Sequence, residues 1–96
     1  MAVDPETLQR VVFRLRFPDA RSAAAALPKL EALAFATQRE PAAGGSERFV
    51  LATKVMYPRE TDLQGLRDKL EVIASEGGGS YVGWQAFPHT PGAMTR

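Results

Sequence analysis

The sequence predicts an α+β domain, a ferredoxin-like βαββαβ sandwich with two helices on one face of a four-stranded antiparallel sheet. Three observations predict it. Segment 11–17, VVFRLRF, alternates inward and outward residues with the period of two that marks a half-buried strand. Segments 20–33 and 63–76 carry apolar residues at helical spacing. Shorter apolar runs bracket each helix, so the order strand–helix–strand occurs twice. In this arrangement the first and third strands are central and the second and fourth are edges.

Each element follows from local chemistry. In the first strand Val11, Phe13, Leu15 and Phe17 share one face and Val12, Arg14 and Arg16 the other. Pro18-Asp19 ends it, and the Asp19 carboxylate can accept a free N–H of the first turn of the following helix. Ala23, Leu27, Leu30, Leu33 and Ala34 mark the buried stripe of that helix. Pro28 lacks an N–H and crowds the carbonyl four residues back, which predicts a kink or a break near Leu27. The second strand, 35–40, is anchored by Phe35, and PAAGGSE at 41–47 reads as a hairpin tip. In the third strand, 48–56, the larger residues Phe49, Leu51 and Val55 are expected to face the core, with Val50, Ala52, Lys54 and Met56 opposite.

Thr61-Asp62-Leu63-Gln64 fits a capping box at the start of the second helix. Leu63, Leu66, Leu70, Ile73 and Ala74 form its apolar face, and Gly77-Gly78-Gly79 stops it. The fourth strand is 80–87, where Val82, Trp84 and Ala86 alternate on one face. This predicts Trp84 as a core anchor, with Gly83 relieving crowding or permitting a bulge. One domain is expected over 1–96, with a core at about 11–87 and a flexible tail at 88–96.

Composition narrows the function. Of the 96 residues 45% are hydrophobic, and 15 of these are alanine, so the larger apolar side chains suffice for one small core. Twelve cations against eleven carboxylates give a net charge of +1, and the isoelectric point is near 8.2. That balance excludes a strongly basic nucleic-acid binder and an acidic disordered chain. Without cysteine there is no disulfide framework, thiolate nucleophile or Cys-based zinc site. No signal peptide or membrane span is expected, so the chain reads as cytoplasmic.

Catalytic motifs are lacking. Gly77-Gly78-Gly79-Ser80 follows a helix, where free carbonyls make the potential negative, whereas a phosphate loop needs the N–H groups that precede one. His89, the single histidine, falls in the tail without an orienting partner, so Ser22, Ser46, Ser75 and Ser80 lack an activating base. Asp68 and Glu71 share a solvated helix face with Arg67 and Lys69. Asp62 and Asp68 are too scattered for an ion loop, so no metal, no cofactor and no enzymatic activity are expected.

The sheet face away from the helices is expected to bring together Arg14, Arg16 and Lys54 among Val12, Val50, Ala52 and Met56. Such a face is either a plain solvent surface covered by long basic stems or a recognition surface for an acidic protein segment or a phosphate backbone. With Phe13, Phe17 and Phe49 of the central strands in the phase assigned to the core, the residues of those strands left facing out carry no ring, and the base-stacking platform of RNA-recognition modules is missing.

Four ordered motifs carry a resemblance. Met56-x-Pro58 ends a strand, a leucine- and acid-rich helix spans 63–76, Gly78-Gly79 makes a turn, and Tyr81-x-Gly83-Trp84 lies in the closing strand. Together they resemble the bacterial regulator of ribonuclease E activity, B type, or ribonuclease E inhibitor domain, over about 11–87. The chain has Val82 and Gln85 where that family usually places acids. The resemblance implies a non-catalytic protein-binding domain that regulates RNA decay by contacting ribonuclease E or its scaffold region, as a monomer or weak dimer. Two alternatives stay open: RNA binding through Arg14, Arg16 and Lys54, and a small-ligand sensor or homodimer built on the open sheet face or by edge pairing.

Overall fold

The computed structural model describes residues 7–41, 45 and 47–88, with the backbone alone at Pro41. Residues 89–96 of the expected tail, His89 among them, most of the hairpin tip and residues 1–6 lie outside the described residues, whereas Pro88 belongs to the last strand. The elements run β1 (Gln9–Phe17), α1 (Ala20–Ala32), β2 (Ala36–Pro41), β3 (Arg48–Met56), α2 (Glu60–Glu76) and β4 (Ser80–Pro88). The four strands form one antiparallel sheet in the order β2-β3-β1-β4, the ferredoxin-like βαββαβ arrangement the sequence predicts.

One core lies between the sheet and the helices. Val11, Phe13, Leu15 and Phe17 of β1 are fully buried against Ala23, Ala26 and Leu30 of α1 and Leu70, Ile73 and Ala74 of α2. Both helices therefore cover the same face, and a Lys29–Glu76 pair at 2.9 Å links them. The phase expected for β1 holds, and Arg14 and Arg16 point away from the helices.

The phase expected for β3 is reversed. Val50 and Ala52 are fully buried, Phe49 and Leu51 are half-buried on the opposite face, and Val55 is exposed. Pairing with β1 explains this. Phe13 lies opposite Ala52, and Leu15 opposite Val50, so small residues of β3 receive the bulky residues of β1. A slip of one residue exchanges the faces, and the size of the apolar residues in β3 does not by itself select between them.

Local expectations divide. The Asp19 carboxylate accepts from the Ser22 N–H at 2.8 Å, as expected of a cap. α1 runs unbroken through Pro28, because Pro28 and Ala24 both lie on its exposed side and water can satisfy the free Ala24 carbonyl. α1 ends with the Ala34 N–H donating to the Glu31 carbonyl at 2.9 Å and the Phe35 N–H to the Leu30 carbonyl at 3.2 Å, with Ala34 left-handed at φ 69°. The capping box at Thr61 does not form. α2 begins at Glu60, its N-cap Arg59 makes no side-chain cap bond, and Gln64 instead donates to Asp68 at 3.1 Å. Glu60 and Asp62 in the first turn offset the positive end of the helix dipole.

The glycine run closes α2 as expected. Gly78 takes φ 76°, and the Gly79 N–H donates to the Ala74 carbonyl at 2.8 Å. A Cβ at Gly79 would collide with the Arg16 carbonyl oxygen, so this residue also lets the chain pass the end of β1.

Candidate functional site

The candidate site is the sheet face that the helices leave uncovered. Alternation along β1 delivers Arg10, Val12, Arg14 and Arg16 to it. Register carries Phe49 and Leu51 of β3, Glu40 of β2, and Gln85 and Phe87 of β4 to the same side. Between them is a depression of about 510 Å³, with Val12 and Leu51 in its lining and Arg10 and Arg14 among its cations.

Its cations rest on rings. The Arg10 guanidinium lies 4.7 Å from the centre of the Phe87 ring, directly across the β1–β4 ladder. The Arg14 guanidinium lies 4.1 Å from the centre of the Phe49 ring and donates to Glu40 Oε1 at 3.3 Å. Arg16 donates to Glu47 Oε2 at 2.6 Å and to Ser80 Oγ at 3.3 Å. Contact with a ring holds a planar guanidinium in one orientation while its N–H edge stays free to donate. The Arg14–Glu40 side chains are 46% and 45% exposed, so that pair adds little stability and exchanges readily.

The trio expected from the sequence is divided. Arg14 and Arg16 share the open face. Lys54 lies on the helix face, because it pairs opposite the buried Val11. Its ammonium donates to the Leu33 carbonyl at 2.7 Å and sits 4.5 Å from the centre of the Phe35 ring. A positive charge at the C-terminal end of α1 meets the negative end of the helix dipole, so Lys54 has a structural place. The same reversal of phase puts Phe49 on the open face, so the expectation of a ring-free face is also corrected. The Phe49 and Phe87 rings nevertheless lie beneath their own arginines. Arg10 is not among the residues the sequence singles out, because the alternation is read from Val11, whereas β1 starts at Gln9.

The edge at β4 differs from expectation too. The β1–β4 register shifts between Arg14 and Leu15, which leaves Val82 unpaired in a bulge beside Gly83. A Cβ at Gly83 would meet nothing within 4 Å, so the bulge and not crowding accounts for its place. Val82 is 52% exposed and Trp84 38% exposed, so Trp84 is not a core anchor. The bulge turns Tyr81 inward, opposite Leu15, and α2 covers Tyr81 rather than Trp84. The Tyr81 hydroxyl is buried without a hydrogen-bond partner among the described residues. Burial pushes its pKa up, the Glu71 carboxylate pushes the same way, and the Arg67 guanidinium opposes both.

No cluster of three or more His, Cys, Asp or Glu side chains able to hold a metal occurs among the described residues. No helix there is long and apolar enough to cross a membrane. The Ser22 hydroxyl donates to the capping Asp19 carboxylate and Ser80 Oγ accepts from Arg16, so neither serine is paired with an imidazole. This face can dock charged and apolar groups.

No curated protein and no solved structure matches the chain. The family model RraB, regulator of ribonuclease activity B, matches residues 2–86, nearly the whole chain, and the protein belongs to that family of ribonuclease regulators.

Proposed function

We propose that the protein regulates an endoribonuclease of the ribonuclease E type by protein–protein contact, performs no catalysis itself, and docks through its open sheet face around Arg14 and Arg16. Membership of the RraB family over residues 2–86 carries this reading. The uncovered face supports it, since a partner there reaches oriented guanidiniums beside apolar Val12 and Leu51 without disturbing the core. Lys54 does not belong to this surface, because it closes the end of α1 on the opposite side.

The test is capture of the purified endoribonuclease, with its scaffold region, on the immobilised protein, together with its rate of RNA cleavage. The expected result is capture and a changed rate, both reduced in an Arg14→Glu/Arg16→Glu variant that keeps the wild-type melting profile. Absence of capture with an unchanged rate would reject the reading. Direct RNA binding predicts instead an affinity for the RNA alone that falls steeply with salt.

A further inference from the structure

We infer that the depression on the open face takes an extended acidic protein segment, with an apolar side chain between two carboxylates. The inference rests on reading this face as a docking surface and names the chemistry of its occupant.

Arg10, Val12 and Arg14 are alternate residues of one strand and stand on one face. Their spacing over two such steps is roughly 13 Å. An extended segment laid along β1 has the same repeat, so its side chains i, i+2 and i+4 meet Arg10, Val12 and Arg14 in turn. Carboxylates at i and i+4 reach the two guanidiniums. An apolar side chain at i+2 falls on Val12, which lies between Thr53 of β3 and Gln85 of β4, with Leu51 two residues further along β3 opposite Arg14.

Both cationic ends are prepared. Phe87 and Phe49 hold the guanidinium planes, so fewer rotamers are lost when a carboxylate binds. The face already displays the chemistry in its Arg16–Glu47 pair and at Arg14, where Glu40 at 3.3 Å forms an exposed and replaceable pair. Arg10 has no carboxylate partner among the described residues.

RNA fits less well. The three arginines of this face stand with Glu40 and Glu47, so the field over it is weak. Bases gain affinity by stacking on open rings, and here guanidiniums lie over the Phe49 and Phe87 rings.

The experiment is a titration of the isotope-labelled protein, followed by amide NMR shifts, with four probes. These are a blocked peptide with glutamate at i and i+4, leucine at i+2 and serine between them, its glutamine-for-glutamate analogue, its lysine-for-glutamate analogue and oligouridylate. The acidic peptide is expected to move the amides of Val12, Arg14, Leu51 and Gln85. Arg10→Gln and Arg14→Gln should each weaken it at least about fivefold. Lys69→Gln, on the exposed side of α2, should leave it unchanged. Equal binding of the glutamine analogue, tighter binding of oligouridylate, shifts confined to another surface, or no binding would overturn the inference. So would the same amides shifting with protein concentration alone, which marks a second copy as the occupant. Failure here with capture of the endoribonuclease intact overturns the occupant's chemistry and leaves the proposed function standing. Peptide binding without capture does the reverse.

Discussion

Asp19 ties the first turn of α1 to the end of β1 through one carboxylate oxygen, which accepts from both the N–H and the hydroxyl of Ser22. The Ser22 backbone bond, then its hydroxyl, then the nearby Arg21 charge hold the Asp19 carboxyl below its ordinary value. A group depressed in the folded state contributes stability that is fully present above its unfolded value and is lost as pH falls through the folded one. The melting temperature should therefore drop as pH is taken below about 4. Asp19→Asn keeps an acceptor that does not titrate, and thermal unfolding across that range should show this part of the dependence gone. Tyr81 presents the opposite case, a hydroxyl that is buried without a partner. Tyr81→Phe is expected to be neutral or stabilising by up to about 1 kcal/mol in denaturant unfolding. A loss larger than that would show that the hydroxyl has a partner in solution.

At the scale of elements, α2 shows what local rules decide. Its leucine stripe and its glycine stop were both legible, because each depends on neighbours within one helical turn. Its N-cap was not, because α2 enters from Arg59 and puts Thr61 inside the first turn. The glycines within and after α2 separate two effects. Gly65 is exposed, with nothing within 4 Å of a Cβ, so Gly65→Ala should stabilise by about 0.5–1 kcal/mol through helix propensity. At Gly79 the obstacle is the backbone of Arg16, so Gly79→Ala should cost about 1–3 kcal/mol. Denaturant midpoints of the two variants should move in opposite directions, and a shared direction would refute the packing of the α2–β4 turn against β1. The proline in α1 carries the same lesson. The sequence marks the lost hydrogen bond, but only the burial of each helix side shows that the freed carbonyl faces water.

For the whole molecule, the two sheet faces have different work, and single cations report on each. Lys54 bonds to the Leu33 carbonyl and covers Phe35, so Lys54→Gln should lower stability by about 1–2 kcal/mol and spare partner binding. Arg14 is exposed on the other face, so Arg14→Gln should leave the melting temperature within a degree or two and weaken partner binding. Paired melting and capture measurements check both, and a reversed pattern would place the functional face beneath the helices.

The sequence by itself determined the element order, the phase of β1, the edge and centre of the sheet and the end of α2. These follow from periodicity and backbone chemistry, which act over a few residues. Four motifs placed in order along the chain were also enough to point to the family. Only the tertiary structure decided which side of β3 faces inward, since both of its faces carry apolar residues and the match of Ala52 to Phe13 settles the register. That one choice sent Lys54 to the helix face, brought Phe49 beneath Arg14 and, with the early start of β1, assembled the open face around Arg10 and Arg14. The reason is range: strand pairing joins residues far apart in the chain, and a one-residue slip exchanges every side chain between core and solvent.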